Sequence, residues 1–381
     1  MSWRPLLQGP MADRALAAAR AMGNELLELG HDASLAGGSA GIAVLYAYLD
    51  RISRGRDFDM LAGCYLARAQ AGAARPPLSP SLYRGATGVA WAAAHLQKPG
   101  PLTGAVEQTL AGFLNGSVPP GDYGLTDGLV GFGVYARERL GEPEAAAMLE
   151  QVVDRLAESA LRRPDGLTWR TAPDRLPRPL RSLAPDGCCD LGLARGLPGV
   201  VALLAAAVQA GVNAGKARSL LTGAVEWLLA QRLQGSSTSC FPAWAWPAEA
   251  RRAARSGWCH GDPGIAAALL LAARATGEPQ WEREAVAVAR RAAGRPPAET
   301  RVTDASFCHG AAGLAHIFNR LYQATGDREL GTAARFWVEQ TLALPRPAEN
   351  GLLRGAAGVV LTLLAAATDL EPAWDRLFLL S

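Results

Sequence analysis

Cysteine and histidine stand next to each other at two points of the chain. The sequence is Trp-Cys-His-Gly at positions 258–261 and Phe-Cys-His-Gly at positions 307–310. Thiolate sulfur and imidazole nitrogen are donors that zinc prefers, and a catalytic zinc site uses three protein ligands with a fourth position open. Cys259, Cys308 and His309 are such a set, and they make a catalytic zinc site the first hypothesis.

Each of these residues also has a simpler interpretation. A cysteine taken singly is more often a small buried core residue than a metal ligand. The recurrence of Cys-His at one position of a repeated unit favours the metal. His260 is then either a fourth ligand or an acid/base group. The other cysteines are interpreted as thiols without a metal: Cys188 and Cys189 as buried thiols, with metal binding as a minor alternative, and Cys64 and Cys240 as structural residues.

Both Cys-His pairs precede a Gly-x-x-Gly motif that occurs seven times. Each copy is followed by an apolar stretch of helical character, and amphipathic stretches lie between the copies. This alternation predicts an all-α fold with an inner ring of buried helices inside an outer ring of amphipathic helices. The glycine pairs are Gly38/Gly41, Gly85/Gly88, Gly128/Gly131, Gly196/Gly199, Gly261/Gly264, Gly310/Gly313 and Gly355/Gly358.

The motif also predicts where the inner helices begin. Proline is tolerated at the first helical position, so two helices are expected to begin at Pro198 and Pro263. Asp262 then falls at an N-cap, where a carboxylate accepts free backbone N–H groups. The first glycine is expected in a tight turn, and the second is expected to let neighbouring helices approach closely.

The residues directly before the first glycines are predicted to converge on one end of the barrel. Six of these seven residues are charged or ionisable, which favours a polar pocket there. Solvation of a helix end is an equal alternative for two of them, Arg84 and Arg354. The remaining four are Asp127, Arg195, His260 and His309.

Composition excludes several classes of protein. The formal net charge is +3 and the basic residues are scattered, so no nucleic-acid footprint is visible. No apolar stretch approaches the roughly 20 residues that cross a bilayer, and no N-terminal export signal is present, so a cytoplasmic protein without a membrane span is expected. Six cysteines in 381 residues then indicate thiols or metal ligands rather than disulfides.

Taken together, these motifs closely resemble the lanthipeptide (lantibiotic) cyclases and their LanC-like relatives. The resemblance rests on the seven glycine motifs, Trp-Cys-x-Gly at 258–261 and Cys-His-Gly at 308–310, and it runs from the first repeat to Trp374. It implies an α/α toroid of seven inner and seven outer helices with catalytic Zn²⁺ at one end. It also implies the addition of cysteine thiols to dehydroalanine or dehydrobutyrine in a precursor peptide, which forms thioether rings.

Site residues follow from this resemblance position by position. Cys259, Cys308 and His309 match the zinc ligands, Asp122 matches an active-site aspartate, and Arg255 matches an arginine near the metal. One position departs from the family. Where the family usually has an acid/base histidine before the first glycine of the fourth repeat, this chain has an arginine, Arg195.

The change at Arg195 alters what that position can do. Arginine stays protonated at working pH, so it can stabilise an enolate but cannot exchange a proton. His260 or a zinc-bound water then supplies the proton, or the enzyme is impaired. A non-catalytic zinc-binding scaffold of a biosynthetic complex is therefore one alternative function. The other is a carbohydrate-active α/α toroid that uses Asp122 and Asp127 as paired carboxylates, which would leave the cysteines unexplained.

A single domain is expected over residues 1–381, with elaborated loops around 163–190 and 234–256. These loops either grip the leader of a precursor peptide or are solvated connectors. Binding of peptide by Trp244 and Trp246 is a hypothesis within the first alternative. The expected partners are a dehydrated precursor peptide with its leader and a separate dehydratase, since the chain has no dehydratase-sized extension.

Overall fold

The structure of the chain is a computed structural model. It describes residues 3–26, 32–52, 57–74, 79–98, 100, 102–116, 123–176, 178–235, 239–246 and 251–381.

Helices dominate the described part of the chain, as the sequence predicts. Short strands form two two-stranded antiparallel sheets, β1 (Leu161–Arg163) with β2 (Gly166–Thr168) and β3 (Cys189–Asp190) with β4 (Trp244–Trp246). The helices are α1 (Gly9–Glu25), α2 (Ser39–Ile52), α3 (Phe58–Ala73), α4 (Ala86–His95), α5 (Leu102–Asn115), α6 (Leu129–Glu138), α7 (Pro143–Ser159), α8 (Arg178–Arg181), α9 (Leu197–Ala210), α10 (Ala214–Ala230), α11 (Asp262–Thr276), α12 (Pro279–Ala293), α13 (Ala311–Thr325), α14 (Arg328–Ala343) and α15 (Ala356–Ala367).

Seven of these helices begin at the residue after a first glycine: α2, α4, α6, α9, α11, α13 and α15. Most of their residues are buried, including nearly all of the first two turns. Helices such as α7, α12 and α14 instead bury one face and expose the other. The predicted division into buried and amphipathic helices is confirmed for these elements.

Two details of the predicted helix starts are wrong. Helices α9 and α11 begin at Leu197 and Asp262, one residue before the prolines. Gly261 therefore occupies the N-cap, and the carboxylate of Asp262 turns to a neighbouring loop. It accepts hydrogen bonds from the backbone N–H of Cys240 at 2.7 Å and of Phe241 at 3.2 Å.

The second glycine of the motif has a different role from the one predicted. A Cβ atom on Gly88 would lie 1.9 Å from the carbonyl oxygen of Leu82, and one on Gly313 would lie 1.9 Å from that of Phe307. The close approach is therefore made by the loop that precedes the helix and less by a neighbouring helix. Any side chain at these glycines would push the loop away from its own helix.

The described chain divides into two compact units. The first unit comprises Met1–Thr109 and Val302–Asp375. Its buried helices are neighbours in the order α13, α15, α2 and α4. Helix α14 packs on α13, α1 on α15, and α3 on α2.

The second unit comprises Leu110–Arg301 and Arg376–Ser381. Its buried helices are neighbours in the order α6, α9 and α11. Helix α7 packs on α6, α10 on α9, and α12 on α11, while strand β2 lies on α10. No helix in the described ranges of either unit has the length and apolarity to span a bilayer.

A buried ionic cluster lies on α13 in the first unit. His316 Nε2 is 2.7 Å from Asp375 Oδ2, and Arg320 Nε is 2.5 Å from the same oxygen. Burial alone would raise the pKa of Asp375, but the charge of Arg320 and the hydrogen bond to His316 hold it well below its usual range. The cluster ties the C-terminal residues to an inner helix.

The substitution Asp375→Asn is expected to destabilise the folded chain by about 1.5 to 3 kcal/mol, because His316 and Arg320 lose a charged hydrogen-bond partner, although Arg320 keeps Glu371 as a second partner at 2.8 Å. The wild-type stabilisation should be complete above the unfolded pKa of about 3.9 and should disappear as the pH falls, because the folded pKa is the lower one. Urea unfolding of both proteins at neutral and acidic pH checks this. Equal free energies of unfolding at pH 7 would refute it.

Candidate functional site

The loops before neighbouring inner helices are joined at one repeat position, two residues before the first glycine. In the first unit, the backbone N–H of Cys308 donates to Leu353 O at 2.8 Å. The N–H of Leu353 donates to Ala36 O at 3.2 Å, and that of Ala36 donates to Tyr83 O at 2.8 Å. Equivalent positions of neighbouring repeats are therefore directly bonded.

The second unit has the same ladder. The backbone N–H of Thr126 donates to Ala194 O at 3.2 Å, and that of Ala194 donates to Cys259 O at 3.4 Å. Cys259 and Cys308 occupy this repeat position. Each cysteine is therefore bonded through its backbone to the neighbouring loop of its own unit.

Cys259, Cys308 and His309, the zinc ligands that the sequence predicts, lie close enough together to hold a metal ion. Their ligand atoms all lie within 4.8 Å of one another, and they are the only such group of three found in the described ranges. Cys259 and Cys308 are half-exposed, which speaks against the alternative that they are core residues. A metal ion could be held by this group.

The donor set fits zinc. A tetrahedral zinc with bonds of about 2.3 Å to sulfur and about 2.0 Å to nitrogen separates its ligand atoms by roughly 3.5 to 4 Å. The ligand atoms of this group, which lie within 4.8 Å of one another, would need to move only slightly closer together to bind it. All six cysteines are described and none forms a disulfide. Three protein donors leave one position for a further ligand.

The remaining cysteines do not resemble metal ligands. Cys188, Cys189 and Cys240 are buried, and Cys64 is exposed. Burial raises the pKa of the Cys188 thiol far above its usual range and that of Cys240 to about 12. These buried thiols stay protonated, in agreement with the interpretation of the sequence.

A cavity of about 220 Å³ in the second unit brings together predicted site residues. It is lined by Asp127, Arg195 and His260, each of which directly precedes a first glycine. The predicted convergence of these positions on a polar pocket is confirmed for these three. Arg84 and Arg354, for which helix-end solvation was an equal alternative, are exposed.

Arg195 is half-exposed at the cavity. Its Nη2 lies 4.0 Å from Asp127 Oδ2, which is a weak contact between two accessible side chains. Arg255 is half-buried, and its Nη2 donates to the carbonyl oxygen of Arg301 at 3.2 Å. Asp122, the predicted active-site aspartate, lies outside the described residues.

His260 faces a buried carboxylate. Its Nε2 lies 3.1 Å from Asp190 Oδ1, and the carboxylate is 1% exposed. Burial alone would lower the pKa of His260, but the nearby carboxylate of Asp190 and the thiol of Cys259 raise it to about 10. The indole of Trp244 packs against the imidazole, with ring centroids 5.4 Å apart.

The two elaborated loops meet at this cavity. Strand β3 carries Asp190, strand β4 carries Trp244, and these residues are partners in the antiparallel sheet. Arg175 from the first loop also lines the cavity. Asp262 holds the second loop through Cys240 and Phe241, as described above.

Asp190 was missed in the sequence, although a signal was present. It stands six residues before a first glycine, and aspartate recurs there as Asp32, Asp122 and Asp304. Where the carboxylate is described, it accepts the backbone N–H two residues on, at 2.6 Å in Asp190. The recurrence predicts a loop residue, but its contact with His260 needs the tertiary structure.

Gly261, which follows the Cys-His pair directly, is in a conformation that only glycine adopts without strain. Its φ is 116° with ψ 172°, and an added Cβ would lie 2.0 Å from the carbonyl oxygen of Arg255. We expect Gly261→Ala to cost about 1 to 3 kcal/mol of stability. Thermal and urea unfolding measure this, with Gly277→Ala as control.

Gly277 is a matched control because its φ is also positive, at 73°, but its added Cβ would meet nothing within 4 Å. The Gly277 variant should lose less stability than the Gly261 variant. If both substitutions lower the free energy of unfolding by the same amount, the contact of an added Cβ at Gly261 does not contribute to the loss of stability.

The chain is similar to a known protein family and to solved structures. Residues 31–379 match the family model described as lanthionine synthetase C-like protein. Among solved structures, nisin cyclase superimposes with a TM-score of 0.79 at 19% sequence identity, and the match covers 97% of each chain. The second match shows a shared fold and confirms the α/α toroid that the sequence predicts.

Proposed function

Because the chain belongs to the lanthionine synthetase C-like family, we propose that it is a zinc-dependent lanthipeptide cyclase. The observation that carries the proposal is the cluster of Cys259, Cys308 and His309, whose ligand atoms lie within 4.8 Å of one another. The substrate would be a precursor peptide in which serine and threonine have been dehydrated. The product would contain lanthionine or methyllanthionine thioethers.

Zinc held by these three residues would lower the pKa of a substrate cysteine thiol and keep its sulfur nucleophilic. The reaction then forms one carbon–sulfur bond, as the sulfur attacks the β-carbon of dehydroalanine or dehydrobutyrine. The thiol proton is lost in this step, and one proton is added at the α-carbon. Atoms therefore balance without an oxidant or a reductant.

His260 is the residue that we assign to the proton at the α-carbon. It directly follows Cys259, lines the cavity with Arg195, and can exchange a proton where arginine cannot. Asp190 would hold its ring in place from 3.1 Å. The pair would take over the role of the histidine that the family usually has at the position of Arg195.

Arg195 keeps a role that needs only charge. A guanidinium group on the cavity wall can stabilise the enolate oxygen that forms before protonation. We propose the same electrostatic role for Arg255 and leave Asp122, the residue that matches the family's aspartate, as a further site residue.

The two units would act as one catalytic domain, since the family match runs through both. The loops around 163–190 and 234–256 would bind the peptide, because Arg175 and Trp244 from them line the cavity beside His260. A separate dehydratase would prepare the substrate. Trp246 lies in the same strand as Trp244, so we keep it as a second residue that would bind the peptide.

A second function is favoured by one residue. Arg195 stands where the family usually has histidine, so a zinc-binding scaffold without catalytic activity would also suit the site. The decisive experiment incubates the zinc-loaded chain with a dehydrated precursor peptide and then alkylates the remaining thiols. If the chain is a cyclase, each ring consumes one thiol, so the peptide carries one alkyl group fewer for each ring formed. If the chain is a scaffold, every thiol is alkylated.

A further inference from the structure

The 3-10 helix Ala373–Phe378 carries several large apolar side chains that are buried. Trp374, Leu377 and Phe378 are each at most 2% exposed, and all three lie in the 3-10 helix Ala373–Phe378. Asp375 of the same helix is held by His316 and Arg320, as described above. Arg137 Nη1 donates to the carbonyl oxygen of Ser381 at 2.5 Å.

Two rings of this segment contact the residues that directly precede the cysteines of the metal cluster. Trp258, before Cys259, donates from Nε1 to the carbonyl oxygen of Phe378 at 2.9 Å. The rings of Trp258 and Phe378 meet edge to face, with centroids 5.1 Å apart. Trp258 is 1% exposed, and this hydrogen bond gives its buried indole N–H an acceptor.

The second contact has the same geometry. Phe307, before Cys308, meets Trp374 edge to face with centroids 5.6 Å apart. Phe307 is fully buried. Each cysteine of the cluster therefore follows an aromatic residue that packs on the C-terminal 3-10 helix.

The repeats show that these aromatic residues are particular to the metal site. Trp258 and Phe307 stand three residues before a first glycine. In the other five repeats this buried position holds leucine: Leu35, Leu82, Leu125, Leu193 and Leu352. The repeat itself therefore requires only leucine, and the aromatic rings appear where a cysteine of the cluster follows.

We propose that the C-terminal segment Trp374–Phe378 positions the metal ligands by fixing Trp258 and Phe307. A buried, hydrogen-bonded side chain fixes the backbone of its residue, and the backbone sets the direction of the next Cα–Cβ bond. The side chains of Cys259 and Cys308 therefore have the orientation needed for metal binding before a metal ion is bound. The segment is a positioning element, and the inference rests on the proposed zinc site.

The test replaces Trp258 with the leucine of the other repeats, and it replaces Phe378, whose ring contacts Trp258, with leucine as well. We expect Trp258→Leu and Phe378→Leu each to weaken zinc binding by about 10- to 100-fold, the range seen when groups that orient metal ligands are removed. Competition with a chromophoric chelator measures this. The absorption spectrum of the Co²⁺-loaded chain reports ligand geometry and should change as well.

The control is Val152→Ala, which removes buried methyl groups from α7 and should destabilise the chain without changing affinity or spectrum. Trp258→Phe keeps a ring but removes the Nε1 donor, so it tests the hydrogen bond if Trp258→Leu does not fold. We expect an intermediate loss of affinity for it.

Two negative results have different meanings. Wild-type affinity and an unchanged cobalt spectrum in the folded variants would overturn the positioning role alone. A wild-type chain that binds neither zinc nor cobalt would overturn the proposed metal site, and this inference with it.

Discussion

The variant Cys308→Ala is expected to lose its zinc and its cyclisation activity together. Removing one of three protein donors leaves Cys259 and His309, and two donors hold zinc poorly at neutral pH. We expect an affinity loss above the roughly 100-fold that follows when only an orienting group is removed. Thiol alkylation of the peptide should then show no rings.

A matched control is Cys240→Ala. Cys240 is buried and belongs to no metal-ligating group in the described part of the chain, and the contact of its loop with Asp262 uses the backbone N–H. This variant should keep both zinc and activity. Stoichiometric zinc in purified Cys308→Ala would show that the cluster is not the binding site.

The second large effect is expected from His260→Asn. The variant should keep its zinc and lose about 10²- to 10⁴-fold in the rate of ring formation, the usual contribution of general acid/base catalysis. Asparagine is polar and of similar size, so the cavity keeps its shape. Metal analysis and single-turnover ring formation separate the two properties.

A rescue experiment sharpens the assignment of His260. Adding Arg195→His to His260→Asn restores the residue that the family usually has at that position, so activity should partly return. His95→Asn is the control, because His95 stacks on Tyr48 and on Trp91 and is not among the residues that line the cavity. If His260→Asn cyclises the peptide at the wild-type rate, the proton comes from another group.

Local rules account for the part of the fold that the sequence predicts. Gly88 and Gly313 each face a loop carbonyl at a distance that excludes any Cβ, so glycine is required there and the repeat is visible in the sequence. The stretches after the first glycines are apolar on nearly all sides, which predicts helices on the inside of the fold, and they are buried for most of their length. The metal cluster followed from the repeated position of Cys259 and Cys308.

Contacts between distant residues account for what the sequence does not predict. The pairing of Asp190 with His260 depends on how two loops fold across 70 residues of chain, and no local pattern encodes it. The burial of Phe378 against Trp258 is of the same kind. The one-residue error at Asp262 arose because its carboxylate binds a neighbouring loop instead of its own helix.

The most direct test of the account is the zinc content of the wild-type chain, purified without chelators and measured by elemental analysis against protein concentration. One zinc per chain is expected. A chain that is folded and holds no stoichiometric zinc, even after zinc is supplied, would contradict it.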